Sequence, residues 1–537
     1  MTSADAPNAS RPPRRLLRAV TWLPRKVFSF VRRHAITLGL ILLALVVAHT
    51  IAVAILAHQV ESALQNLRQR GEPIAARELV PAKIPDRENG AVIFAQAFKL
   101  LPGQNPGPVT APAPVPPPAP APVGEPGLPP ALGGPADPPQ TDPAVPGAVL
   151  PAPPPLTESQ KADLVLSMIA RPEDRVKYPR LWSKAGPALQ RVHEVLALAE
   201  QALNRPRFQF PVRWQDGSAA LFPHPARLRG IARYACAAAI IEAHKGNSEA
   251  ATRYLELAFG MTRVLEHEPA LISQLVRYAI AGIAFEALEQ VLSFTDLSQP
   301  QRNRLDAVLS RVDFPPGYKR ALQGERAISL SLYRGLMGSD WHQYIHLTLG
   351  VKDCSEVPWW FRAMHSYPLR PLFYRDELVF LRVTDRLIRQ ALTPYRLLGP
   401  KDREPFDRSV ECGEPMIPFA PICSPACTGL LTGFTPDLAA KRDCATARVA
   451  LSRTALAILD YRERVGAYPD SLNQVQSKLG RALPEDPFSG KPLIYRRQGK
   501  GFLIYSVGQD LKDDHGRPAG EDGGSPAFGD IVLKRNR

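Results

Sequence analysis

Four short patterns that announce common chemistries are missing from these 537 residues. There is no glycine-rich phosphate loop, no His-Glu-x-x-His, no Gly-x-Ser-x-Gly and no redox Cys-x-x-Cys. Their absence removes the familiar routes to nucleotide hydrolysis, zinc-dependent proteolysis, nucleophile-elbow hydrolysis and dithiol exchange. Acids and histidines do occur together, as Glu242 with His244 and as Glu266, His267 and Glu268. They fall at expected helix ends, where solvated charges are ordinary. Also missing is a cluster of Lys and Arg interleaved with aromatics beyond the N-terminus, so the electrostatic footprint of a nucleic-acid partner is lacking. The net charge of +15 does not contradict this, because residues 1–34 carry eight Lys/Arg against Asp5, a surplus of 7 that leaves +8 for the rest.

Charge of either sign is absent across residues 35–57, whose only polar members are Thr37, His49 and Thr50. At about 1.5 Å per residue this stretch spans roughly 35 Å as a helix, enough to cross a hydrocarbon core of about 30 Å with modest tilt. A cleaved signal peptide is the competing reading, and Ala52-Val53-Ala54 offers a small-x-small site. Signal-peptide cores, however, run only about 7 to 15 residues, so an uncleaved anchor is expected. The basic leader places the N-terminus in the cytoplasm and the remainder outside it, which corresponds to a single-pass protein of the bacterial inner (cytoplasmic) membrane whose leader rests on anionic lipid. Ala44, Ala48 and Ala52 recur every four residues and would let a second copy approach as a homodimer.

Past the anchor, 58–101 holds juxtamembrane helices: 60–70 continues out of the membrane, and a second helix, with Asp86 as its N-cap, carries Ala91, Phe94, Ala95, Phe98 and Leu101 on one face. Residues 102–156 contain 22 of the 57 prolines and lack the apolar bulk and backbone donors of a core. A disordered spacer lifting the domain from the membrane is the default expectation; an excursion from within the domain, or a ligand for a Pro-recognising partner, are alternatives. Residues 157–398 read as a helical domain. Helices are expected at 157–170 (opened by a Thr157/Gln160 capping box), 187–203, 228–245, 248–265, 270–292, 299–309, 318–336 and 372–397. The 270–292 helix is apolar almost all round but broken by Gln274, Arg277 and Glu286, which fits a buried central helix. Residues 207–214 alternate as an edge strand or loop around Pro211. An aromatic-rich loop with Trp341, Trp359, Trp360, Phe361 and Tyr367 is expected to pack on the body.

The turn and small-residue spacing of KGNSEAATRYLELAF resembles half of a tetratricopeptide-type hairpin, which suggests a helical-hairpin array. Residues 399–435 form a Cys/Pro-rich loop. Cys412, Cys423, Cys427 and Cys444 allow one or two disulfides in an oxidising compartment, with free thiols or a zinc site as the other readings. Cys236 is expected to be a small buried side chain.

The last section, 436–537, combines a long helix with a small β module. Its segments GAYPDSL (466–472), LPEDPFSGKPLIY (483–495), FLIYSVGQD (502–510) and GDIVL (529–533) resemble, in order, the periplasmic part of the major pseudopilin of type II secretion. The resemblance covers about 80 residues. It implies a calcium site at Ser506, Asp510 and Asp530, to which Asp513 and Asp514 add hard oxygens. Gly529 stands where that family usually has a second acid, and GRPAGEDGGSPAF lengthens the loop. The matching helix also lies nearly 400 residues from the anchor, so polymerisation as a pilin is not expected. The whole chain resembles a group of uncharacterised bacterial single-pass envelope proteins through its REL-PA-PD-ENGA start, PHPARLRGIARY and EPALISQLVRYAI.

The expected fold is therefore mainly α, with one transmembrane helix, an extracytoplasmic hairpin array and a C-terminal α+β module. The expected role is a membrane-anchored structural or interaction scaffold for envelope proteins. An extracytoplasmic hydrolase with a site assembled from distant residues is the alternative.

Overall fold

The computed structural model describes residues 34–101, 157–338, 370–399, 437–518 and 529–536. The 102–156 tract, the aromatic-rich segment, Cys412, Cys423 and Cys427 lie outside the described residues, while Cys444 is half-buried in a helix. Over the described residues the chain is mainly helical, with a three-stranded sheet near its C-terminus.

Helix α1 (Ala35–Gln69) runs without a break from the apolar stretch into the polar segment that follows. Gly71 ends it: at φ +67° it takes the left-handed conformation that lets Glu72 N–H reach back to the Leu67 carbonyl at 3.0 Å. Two helices here are long and apolar enough to cross a membrane. They differ in burial: the apolar window of α1 is 0% buried, whereas that of helix α8 (Leu271–Phe294) is 72% buried. Helix α8 is accordingly a core element, as its interrupting polar residues suggest.

Helix α2 (Gly90–Lys99) is capped by Asn89, not by Asp86. The Asn89 carboxamide oxygen accepts from Ala91 N at 3.0 Å and from Gln209 N at 2.9 Å, so the cap also ties the helix to a distant segment. A Cβ on Gly90 would come within 2.6 Å of the Ala202 carbonyl, which explains glycine at this first turn. Helix α3 (Glu158–Ile169) opens with the expected Thr157/Gln160 capping box. After the short α4 (Pro172–Lys177), helix α5 (Leu181–Leu203) starts one and a half turns before Pro187, because Leu181 and Ala185 gain burial that offsets the bond the proline removes. Residues 207–214 form no named strand; one bridge joins Arg207 to Asn89, and a 3-10 turn, Trp214–Ala219, follows.

Helices α2 and α3 both pack on α5, and their buried residues Phe94, Phe98, Ala162 and Leu166 share one core. Segments on both sides of 102–156 thus belong to one body. A spacer between membrane and domain is overturned: α1 enters the body before the tract begins.

Helices α6 (His224–His244) and α7 (Ser248–Gly260) meet at a turn with Gly246 at φ +80° and pack on one another and on α8. The run Ala235-Cys236-Ala237-Ala238-Ala239 is almost fully buried and has little bulk, which allows neighbouring helices to come close. Helix α9 (Gln299–Leu309) occupies the expected residues, fixed by a Ser298/Gln301 capping box and an early proline. Helix α10 (Pro315–Met337) packs on α11 (Arg370–Gln390), which ends before the expected 397 in favour of a 3-10 turn.

The long α12 (Asp437–Val465) lies against α8 and α9, and a buried ion pair, Arg302 Nε to Asp460 Oδ1 at 2.6 Å, links α9 to it. Helix α13 (Leu472–Leu479) follows, then an antiparallel meander of β1 (Ile494–Gln498), β2 (Gly501–Ser506) and β3 (Ile531–Arg535). Register places Tyr495 opposite Ile504 and Ile504 opposite Leu533. The sheet is docked on the helical body, since Leu533 joins the main core and Lys534 N donates to Glu289 of α8 at 2.9 Å.

Candidate functional site

The junction of α1, α10 and α11 is where the apolar helix becomes part of the body. Val60, Leu64 and Leu67 recur at four and three, so they share a face. That face is buried against Leu330 and Tyr333 of α10 and against Leu378 and Leu381 of α11. Arg70 Nη2 donates to Asp385 of α11 at 2.8 Å. Fully buried Arg326 of α10 donates to Glu72, while its Nε and Nη1 find no acceptor. Tyr333 donates to Asp376 at 2.9 Å.

These pairings fix directions. Arg70 meets Asp385, and Glu61 lies within electrostatic reach of Glu377, so α1 and α11 run parallel. Tyr333 meets Asp376 while Arg326 lies near Asp385, so α10 runs against them. Gly338 and Arg370, which flank the undescribed 339–369, therefore stand at the end of the body nearest the exposed apolar part of α1. Ala44 and Ala48 lie on that exposed part, and Ala52 is half-buried.

Glu377 is 6% exposed within this junction, and burial pushes its carboxyl up to about 7; Arg334 opposes the shift, while Asp376 and Glu61 add to it.

The C-terminal acids are placed unevenly. Ser506 is fully buried and donates to Asp486 Oδ1 at 2.6 Å. Asp486, a residue of the LPEDP motif that the sequence did not mark as functional, also accepts from Phe488 N and Val507 N, and so ties the preceding turn to the end of β2. Asp510 accepts from Lys512 N at 3.2 Å. Asp513 accepts from His515 N at 2.8 Å and from Tyr505 Oη at 3.0 Å. Asp530 is buried and accepts from Gly516 N at 2.6 Å and Asp514 N at 3.4 Å. Burial raises the Asp530 carboxyl to about 6, the N–H donors of Gly516 and Asp514 oppose this, and the charges of Asp513 and Asp514 add to it. Asp513, Asp514 and Asp530 are thus brought into one electrostatic neighbourhood, whereas Ser506 is committed to Asp486. Among the described residues no three His, Cys, Asp or Glu side chains converge as metal ligands do.

The acid and histidine groups separate. Glu242 pairs with Lys245 at 2.8 Å, and His244 stacks on Trp182 at 3.8 Å between ring centroids. Glu268 turns inward to His224 Nε2 at 2.9 Å, beneath a stacked Phe210 ring 4.2 Å away. Their sequence separation of 44 hides this contact from any local pattern.

Comparison with protein-family models, with curated proteins and with solved structures finds no match.

Proposed function

We propose that this chain is a membrane-anchored scaffold: a single-pass protein of the bacterial inner membrane, with a cytoplasmic N-terminus, whose extracytoplasmic helical body offers contact surfaces to envelope proteins. One observation carries the reading. Helix α1 leaves its exposed apolar stretch and, without a hinge, buries Val60, Leu64 and Leu67 in the body. An anchor built this way holds the body in a set orientation instead of tethering it loosely. On this reading the helix pairs form a weakly tetratricopeptide-like array, and the C-terminal helix and sheet form a pseudopilin-like contact module. A reporter active only outside the cytoplasm, fused after Arg537, should be active, with the intact protein retained in membranes through high-salt washing. An inactive reporter, or release of a soluble form beginning near His58, would sink the proposal.

The C-terminal loop is read as a calcium site. Asp530 is raised to about 6 in part by Asp513 and Asp514, an arrangement that a divalent cation would relieve with hard oxygen ligands. The sign follows from linkage: a carboxyl raised on folding stabilises the fold below its ordinary range, and that contribution is lost as pH rises through about 6. Calcium in the millimolar range should therefore raise the Tm of the full chain more at about pH 7.5 than at about pH 5, and more than magnesium does. The double change Asp513→Ala with Asp530→Ala should remove the shift. If the unaltered protein shows none, the loop is only a solvated acidic turn.

A further inference from the structure

A cleft of ≈ 360 Å³ opens between the C-terminal ends of α5, α7 and α9 and the turn that follows α7, far in sequence from the anchor junction. Its size falls within the range of small-molecule sites, about 300–1,000 Å³. Leu203, Leu257, Val308 and Val312 supply an apolar wall.

Four guanidinium groups line the same space, and three of them, those of Arg263, Arg277 and Arg311, form no ion pair among the described residues. Arg277 is almost wholly buried, and its bonds all go to neutral oxygens: Nε to the Thr262 carbonyl at 2.6 Å, Nη1 to Gln274 at 2.7 Å and Nη2 to the Asp313 carbonyl at 3.1 Å. Arg263 is half-buried; its Nη2 donates to the Leu203 carbonyl at 2.6 Å, and its Nε is shut off from solvent with no acceptor. Arg311 is exposed at the rim.

The acids in the lining do not balance these cations. Glu200 is held by Arg253 at 3.2 Å and Glu256 by Arg304 at 2.7 Å. Glu266 alone remains without an ion pair, and Arg304 is shared between Glu256 and Glu249, so the lining as a whole sets four arginines against three glutamates, a surplus of one positive charge. Outside the cleft, Asp313 and Arg320 act on Arg277 with opposite signs. Charge withdrawn from water without a counter-charge is costly, and here the shortfall sits beside an apolar wall.

We propose that this cleft binds a small ligand with an apolar body and one anionic group, a phosphate monoester in character, held by Arg263 and Arg311 over the field of Arg277. The proposal is independent of the membrane topology. Phenyl phosphate serves as the probe, titrated calorimetrically into the full chain in a neutral detergent at low salt, with inorganic phosphate and benzyl alcohol as comparators. Saturable binding of phenyl phosphate is expected, stronger than that of either comparator and weakened by added salt. Arg311→Gln disturbs no described hydrogen bond; it should leave the melting curve unchanged while weakening binding about tenfold or more. Arg263→Gln should weaken it further. No saturable binding by about 10 mM, or an affinity indifferent to Arg311→Gln, would overturn the proposal. Inorganic phosphate binding as tightly as phenyl phosphate would remove the apolar body from it.

Discussion

Replacing Leu64 with aspartate should lower the stability of the full chain by about 3–5 kcal/mol, the range seen when a large core side chain is lost and an unpaired charge is buried in its place. Leu64 is 2% exposed and shares one buried cluster with Leu330, Tyr333, Leu378 and Leu381. Its neighbour Gln65 is exposed on the same helix, so Gln65→Asp should change stability little. Thermal unfolding in detergent measures both. Amide hydrogen exchange adds the location: residues 56–69 should be protected in the parent protein and should exchange early in Leu64→Asp. If Leu64→Asp melts like Gln65→Asp, the end of α1 is not part of the core.

The residues that pack α1 on α10 and α11 stand next to the apolar stretch, which is long enough to cross a membrane, on one continuous helix. Arg70 with Asp385, and Arg326 with Glu72, add polar constraints whose partners lie 315 and 254 residues apart. Such constraints fix orientation more than they add stability, because the partly exposed Arg70–Asp385 pair is screened by water and the buried Arg326–Glu72 pair recovers little beyond its desolvation cost.

What could be read from the chain alone was whatever is encoded locally. The start of helix α9 is encoded within four positions, by Ser298, Pro300 and Gln301. The Thr157/Gln160 box was legible for the same reason. Asn89 was missed as a cap because its preference over Asp86 is decided by Gln209, which the fold delivers from 120 residues away. Pro187 looked like a helix start, and only the burial of Leu181 and Ala185 shows why the helix begins earlier. The acidic loop is marked in the sequence by the pseudopilin resemblance, yet that reading does not single out Asp486, the residue that bonds Ser506 at its base. Least legible was the cleft: nothing near Arg263, Arg277 or Arg311 in sequence distinguishes them from surface arginines until the helices bring them together.

Glu377 should make stability fall as pH rises through neutrality. Its carboxyl is raised from an ordinary 4.5 to about 7. Burial is the main cause, Asp376 on its own helix and Glu61 of α1 add to it, and Arg334 of α10 opposes it without cancelling it. A carboxyl raised on folding binds its proton more tightly in the folded state, so its contribution is complete below the ordinary value and is lost as pH passes through about 7. The shift corresponds to at most about 3 kcal/mol. From about pH 4.5 to about pH 7 the full chain should lose stability steadily and then level off, and Glu377→Gln, which keeps the shape without the charge, should remove that slope and be more stable than the parent at the alkaline end. Asp530, raised only to about 6, contributes a slope that ends near pH 6 and that Glu377→Gln leaves in place, so the interval from about pH 6 to about pH 7 belongs to Glu377. Denaturant titration across this pH range separates the two. A parent protein whose stability is level from about pH 6 to about pH 7, or a Glu377→Gln variant that keeps the full slope there, would show that Arg334 neutralises the buried carboxylate and that the junction of α1, α10 and α11 is insensitive to pH.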